Sequence, residues 1–302
     1  MANQVREELI ELINSGIISQ AQIAGECGLS TATISMWLQS KYSGDNAKVE
    51  NTIKRVLDRR KKDDNLIAKR LPFTQTSVTK AICEVAEVCQ MNGLIGLVTG
   101  ESGIGKTRSI EWYCSNGTGV IHIRAHAKYS TKDVFADIHR ALGFDGTGNV
   151  HKMMNDIVSK ISGNKRLIII DEAEHLTANT LDEIRQINDR SGAGVLYVGL
   201  PKFRAQLKTL RSKFEYIVNR ISVPRRIDQL STDDVEALVR TVLPEAAGKV
   251  SAEFHSASAG NARVLETLIF NVQRTLRIRQ KTERDAVITP DMIRQVAIHV
   301  IV

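Results

Sequence analysis

The sequence predicts an α/β protein: a parallel sheet flanked by helices, with an all-α domain ahead of it and a helical domain behind. Three observations predict this. Between residue 74 and about residue 228, short apolar runs alternate with helical patterns, as a parallel sheet covered on both faces does. One of those runs leads into Gly100-Glu101-Ser102-Gly103-Ile104-Gly105-Lys106-Thr107, a glycine-rich loop between strand and helix. The segments on either side, 1–62 and 229–302, carry only helical periodicity.

In the N-terminal segment, Val5, Leu9, Leu12 and Ile13 follow helical spacing, with Gly16 as the stop. Ser19 caps a second helix from about Gln20 to Cys27. Gly28 allows a tight turn, and Ser30 caps a third helix through Leu38. Val49, Ile53, Val56 and Leu57 mark a fourth. The run that opens with Arg59-Arg60-Lys61-Lys62-Asp63-Asp64 and ends just after Pro72 is charged and weakly periodic, and reads as a linker. The expected domains are therefore 1–62, a linker at 63–73, 74–228 and 229–302. Within 74–228 the expected strands are Leu94 to Thr99, Val120 to Arg124, Leu167 to Ile170 and Val195 to Val198. Helices are expected at Ser77 to Met91, Thr107 to Tyr113, Thr131 to Leu142, Met153 to Ile161 and Asn179 to Ser191.

The glycine-rich loop fits G-x-x-x-x-G-K-[ST], and each position has a physical reason. The glycines let the backbone curl so that its N–H groups face phosphate oxygens. Lys106 neutralises the β and γ phosphates, Thr107 offers a hydroxyl to Mg²⁺, and the helix that follows turns its N-terminus toward the anion. Leu167-Ile168-Ile169-Ile170-Asp171-Glu172 is the partner segment. Its apolar strand delivers Asp171 toward the metal, and Glu172 can polarise an attacking water. Phosphoryl transfer also needs cationic charge at the γ-phosphate. Arg220, in Val218-Asn219-Arg220-Ile221, and Arg263, in Gly260-Asn261-Ala262-Arg263, are the candidates; the alternative for each is a plain surface arginine.

The formal net charge is +7, and its location says more than its size. From Lys202 to Arg226, eight basic residues (Lys202, Arg204, Lys208, Arg211, Lys213, Arg220, Arg225, Arg226) stand against the single acid Glu215, a local excess of 8 − 1 = +7. A charge concentrated in this way suits a polyanion. Gln20 to Leu38 has helix-turn-helix spacing, with small Ala24 where two helices approach, and Ile34 and Trp37-Leu38 turned inward. Its second helix offers Thr31 and Thr33, with Gln39 and Lys41 at the end. No arginine stands there for a bidentate guanine contact, so weak or non-specific DNA binding is expected; a small helical bundle that binds protein is the other reading. In the loop after Arg124, Lys128 beside Tyr129 suits backbone tracking; an ordinary exposed loop is the other reading. No apolar run approaches the ~18 residues of a membrane helix. The opening Met1 to Leu9 lacks the pattern of a signal peptide, so a cytoplasmic protein with no membrane partner is expected. Cys27, Cys83, Cys89 and Cys114 show no metal or disulfide spacing.

With these residues placed, the chain resembles the AAA+ ATPases that assist DNA transposition, and among them the phage Mu transposition protein B family. The order of parts, the size and the stretch from Gly96 through Arg108 carry the resemblance. It implies an ATP- and Mg²⁺-binding P-loop ATPase of slow turnover, with nucleotide contacts from Gly100 through Arg108. By it, Lys106, Asp171 and Glu172 serve hydrolysis, Thr107 and Asp171 serve the metal, Arg220 reaches a neighbouring subunit's nucleotide, and Arg263 is a sensor on the lid. It further implies homo-oligomeric helical filaments on double-stranded DNA, delivery of that DNA to a transposase, and stimulation of the transposase. DNA contacts would then fall on Lys128, Tyr129, Lys202, Arg204 and Lys208, with Thr31, Thr33 and Lys41 in the N-terminal domain. One departure stands out: the strand after the acidic motif ends in Gly199-Leu200-Pro201, where such ATPases carry a polar sensor. Two other functions compete. A nucleotide-switched transcription regulator is disfavoured by the weak base-reading chemistry of the second helix. A secretion-associated ATPase is disfavoured by the basic segment and by the lack of a membrane stretch.

Overall fold

The computed structural model describes residues 2–14, 18–66, 71–280, 283 and 285–300. It forms two compact units, Met1–Arg70 and Leu71–Val302. Among the described residues the first unit is four helices: α1 (Ala2–Asn14), α2 (Gln20–Cys27), α3 (Thr31–Leu38) and α4 (Asn46–Leu66). Leu9, Ile23, Ile34, Trp37, Val49, Ile53 and Leu57 form its core. Ser19 and Gln22 make a reciprocal capping box that fixes the start of α2. Gly28, at φ 64°, closes that helix with a left-handed residue, and Ser30 accepts the N–H of Thr33 to open α3. Gly16, the expected stop of the first helix, lies outside the described residues, as do residues 67–70 of the expected linker. Helix α4 runs on to Leu66, through the charged run from Arg59 that reads as linker in the sequence. Lysine and arginine are good helix formers, so a charged run with no apolar face can still extend a helix already begun.

The second unit is built on five parallel strands: β1 (Ile95–Thr99), β2 (Val120–Arg124), β3 (Leu167–Asp171), β4 (Gly194–Gly199) and β5 (Ile221–Arg226), in the order β2-β3-β4-β1-β5. Helices α5 (Ser77–Asn92), α6 (Lys106–Asn116), α7 (Thr131–Ala141), α8 (Val150–Ile161), α9 (Ala178–Ser191) and α10 (Pro201–Val218) cover it. Alternate residues of each central strand face opposite layers. Leu167 and Ile169 join Leu196 and Val198 in the layer with α5 and α6, while Ile168 and Ile170 join Val195 and Tyr197 in the layer with α7 to α10. Burial on both faces is why these strands read as continuous apolar runs.

Strand β5 is absent from the sequence reading. Its residues Ile-Ser-Val-Pro-Arg-Arg are mostly exposed, because it is an edge strand paired only with β1. Proline and charge protect such an edge from further pairing, and they also mask its strand character. After β5 come α11 (Thr232–Val242), α12 (Ser251–Ser258), α13 (Ala262–Arg279) and α14 (Pro290–Val300). These helices share one core with α5 and α6, through Val235, Leu238, Phe254, Leu265 and Leu268. The buried carboxylate of Asp234 ties α11 to α5, accepting the Ser77 N–H at 2.7 Å and the Ser77 hydroxyl at 2.6 Å. Among the described residues, no helix is long and apolar enough to cross a membrane.

Candidate active site

The carboxyl ends of β1, β3 and β4 meet at one edge of the sheet, and the phosphate loop sits there because β1 ends at Thr99. Gly103 and Gly105, at φ 80° and 101°, curl the loop in conformations that a side chain would strain. Helix α6 opens at Lys106 with Gly105 as its N-cap, so its free N–H groups face the loop's concavity. The Lys106 ammonium donates to the Gly100 carbonyl at 2.8 Å and to the Glu101 carbonyl at 2.7 Å. Burial pulls its pKa below the ordinary lysine value, and the charges of Asp171, Glu174, Glu101 and Glu172 oppose that pull. Ile104 is buried against Gly100 and anchors the loop. The Arg108 guanidinium donates to the Leu71 carbonyl at 2.6 Å, so this side chain fixes the segment before α5 and is spent away from the phosphates.

On the next strand but one, Asp171 is 1% exposed, and its Oδ2 accepts the Thr107 hydroxyl at 2.7 Å. These two hard oxygens suit Mg²⁺, which takes one or two protein ligands and completes its shell with water and phosphate oxygens. No cluster of three or more acidic, histidine or cysteine side chains fit for a metal occurs among the described residues.

Glu172 lies in the left-handed region at φ 55°, unusual for a residue with a side chain. Its carboxylate is turned to Arg124, the last residue of β2, which donates to Oε1 from Nη2 at 2.6 Å and from Nε at 3.1 Å. Arg124 stands beside Asp171 in the strand register. Glu174, in the turn after β3, is 7% exposed; its Oε2 accepts the Leu200 N–H at 3.2 Å. At the opposite wall, Asn261 caps α13 and donates from Nδ2 to the Ser102 carbonyl at 2.8 Å. The Arg263 N–H donates to the Gly103 carbonyl at 3.1 Å, which puts the start of α13 at the phosphate loop; Arg263 itself is exposed.

Lys106, Thr107, Asp171, Glu172 and Arg263 thus come together, and Arg220 does not join them. It directly precedes β5, whose first residue pairs with Ile95 at the start of β1, while the phosphate loop follows the end of β1. Arg220 is exposed and paired with Asp189 at 3.3 Å, at the far end of the sheet from its own loop. The pairing of Lys128 with Tyr129 as surface contacts is corrected. The Tyr129 ring is buried, its hydroxyl donates to Asp137, and its face lies 4.7 Å from the His126 ring. It therefore holds the loop together and leaves Lys128 as the exposed cation. Lys202, Arg204 and Lys208 are exposed on α10, and Thr31 and Lys41 are exposed at either end of α3. The Thr33 hydroxyl pairs with Ser30 at 2.9 Å within the cap. The side chains of Arg211 and Lys213 lie outside the described residues. All four cysteines are free.

Sequence reasoning passed over Arg124, Glu174 and Asn261. Neighbouring parallel strands end together, so the residue closing β2 and the turn after β3 were available as signals. Asn261 had the sequence signature of a helix cap.

The chain is similar to known proteins in sequence and in fold. A family model for the AAA domain matches residues 89–207. The chain is 26% identical over 238 residues to the Mu-like prophage FluMu DNA transposition protein B of Haemophilus influenzae, covering 77% of this chain and 83% of that one. It is 27% identical over 245 residues to the ATP-dependent target DNA activator B of Escherichia phage Mu, covering 78% and 77%. Among solved structures, the ADP form of the Aeropyrum pernix ORC2 protein superposes with a TM-score of 0.51 at 14% identity, over 75% of this chain and 69% of that one. That likeness is one of fold.

Proposed function

The chain belongs to the phage Mu transposition protein B family, and on that premise we propose that it assembles on DNA as an ATP-bound helical filament, with little sequence preference, and hands that DNA to a transposase that it also stimulates. It is an AAA ATPase of DNA transposition; the filament, the order of events and the residue roles are the proposal.

The observation that carries it is the division of the catalytic groups. One subunit brings Lys106, Thr107, Asp171 and Glu172 together, while Arg220 stands at the other end of the sheet. An arginine so placed reaches a nucleotide only in a second copy. ATP in one subunit would then be gripped by the next, and the γ-phosphate would decide whether neighbours hold together. Slow hydrolysis fits the state of Glu172: a carboxylate held by two guanidinium N–H groups is a poor base for water.

Within a subunit, the loop N–H groups and Lys106 would bind the β and γ phosphates. Thr107 and Asp171 would hold Mg²⁺, which supplies charge neutralisation at the phosphates. Glu172, once released from Arg124, would take a proton from the attacking water, and Arg263 would approach the γ-phosphate from the lid. Lys128, Lys202, Arg204 and Lys208, all exposed, support a DNA surface on the ATPase unit. The four-helix unit, with Thr31 and Lys41 exposed, supports a second, weakly sequence-selective one.

The test is binding to random-sequence duplex, followed by fluorescence anisotropy with ATP and with ADP at several salt concentrations. We expect tight binding with ATP only, weakening linearly on a log–log salt plot as phosphate contacts release counterions. Equal binding with both nucleotides, or binding confined to one short site, contradicts the proposal.

A further inference from the structure

The strand order places β4 between β3 and β1. The carboxyl end of β4 therefore lies between Asp171, which closes β3, and Gly100, which starts the phosphate loop. Gly199 closes β4, and its carbonyl accepts the Gly100 N–H at 3.1 Å. No side chain from β4 reaches into this position. Glu174 fills it instead, from the turn after β3. A methyl group on residue 199 would lie 2.6 Å from Glu174 Oε2, so the carboxylate keeps its present place only beside a residue without a side chain.

A buried carboxylate is costly unless something uses its charge. Among the described residues, the hydrogen-bond donor given to this one is the Leu200 N–H, to which the oxygen of a neutral amide would serve equally well as acceptor. The charge is felt by Lys106, which shares it with Asp171. A carboxylate facing a phosphate directly would repel it; one that faces the water between them would orient that water.

We propose that Glu174 is a further residue of ATP hydrolysis, holding the attacking water in line with the γ-phosphate while Glu172 takes its proton. The water oxygen bonds to the γ-phosphorus as the bond from that phosphorus to the β–γ bridging oxygen breaks and ADP leaves. One water proton passes to Glu172. The other O–H donates to Glu174 and stays with the phosphate product. Gly199 then lacks a polar side chain because the carboxylate delivered from the turn does that work. This inference rests on the reading of Glu172 as the water-activating base.

Glu174→Gln keeps the size and the acceptor for Leu200 but loses the charge. We expect its kcat to fall by about tenfold or more, as for a lost water-positioning contact, with affinity for a fluorescent ATP analogue and thermal stability unchanged. The second arm restores the polar group from the strand. Gly199→Asn alone should be inactive, because its Cβ meets the carboxylate. Glu174→Ala removes as many heavy atoms as Gly199→Asn adds, so the double variant should recover hydrolysis above either single variant. Wild-type kcat in Glu174→Gln, or a loss of kcat that only tracks lost ATP affinity and stability, overturns the inference. So does a double variant no better than the singles. Glu172→Gln is run beside them. If it is inactive while Glu174→Gln is normal, only this inference fails; if Glu172→Gln hydrolyses normally, the reading beneath it fails.

Discussion

Arg124 and Glu172 form a two-pronged ion pair, with Nη2 at 2.6 Å and Nε at 3.1 Å from the same carboxylate oxygen. The pair bridges the ends of adjacent strands, and in the proposed mechanism it holds the Glu172 carboxylate away from the attacking water. Burial is modest, so the pair contributes little to stability.

Releasing Glu172 should therefore raise the resting rate. Arg124→Ala is expected to increase ATP hydrolysis without DNA by several-fold, measured as steady-state phosphate release. A resting rate equal to or below that of the unaltered protein would mean that Arg124 does not restrain Glu172.

Arg220 and Lys106 belong, on this account, to two halves of a shared site. Arg220→Ala should bind ATP normally as isolated subunits and fail to hydrolyse it in the assembly. Lys106→Ala should bind no ATP and support no assembly by itself. Mixed together, the two inactive variants should regain partial hydrolysis, because a Lys106→Ala subunit still offers its Arg220 to a neighbour's intact loop. A mixture as inactive as its components would remove Arg220 from the role of finger.

Asp234 couples the C-terminal helices to the sheet, and its effect should be visible in stability. Burial works to raise its pKa, but hydrogen bonds from the backbone and hydroxyl groups of Ser77 and Ser231 outweigh it and leave the carboxyl below its ordinary value. A depressed folded pKa stabilises fully above the unfolded value, about 3.9, and loses that contribution as pH falls through the folded value. Asp234→Ala is expected to cost about 1–3 kcal/mol at neutral pH, because the donors of Ser77 and Ser231 lose their acceptor. The gap in Tm between the two proteins should hold steady above pH 5 and narrow below about pH 4. A gap that does not vary with pH would assign the effect to packing rather than to the carboxylate.

Much of the nucleotide site was legible in the sequence, because its parts are local. Gly100 to Thr107 is one continuous segment whose residue types dictate its curl, and Asp171 closes a strand that is apolar throughout. Contacts between segments were harder to see. Asn261 and Ser102 are 159 positions apart, and nothing local in either marks the other. Arg124 looked like the end of a strand, and only the β2–β3 register makes it the partner of Glu172. The empty place at Gly199 was visible, but its occupant was not, since Glu174 reaches it from the turn after β3. Tyr129 misled for the same reason: an aromatic beside a lysine looks like a surface pair until Asp137, one helix further on, is found bonded to it. Edge strand β5 was hidden by the very residues that protect its edge.

The central claim is that ATP held at Lys106 joins one subunit to the next on DNA. Electron microscopy of the protein on random-sequence duplex, with ATP and with ADP and with Glu172→Gln beside the unaltered chain, tests it most directly. Regular filaments are expected with ATP, none with ADP, and longer-lived filaments with Glu172→Gln, which binds ATP but cannot hydrolyse it. Isolated particles in every condition, or filaments that form equally well with ADP, would contradict it.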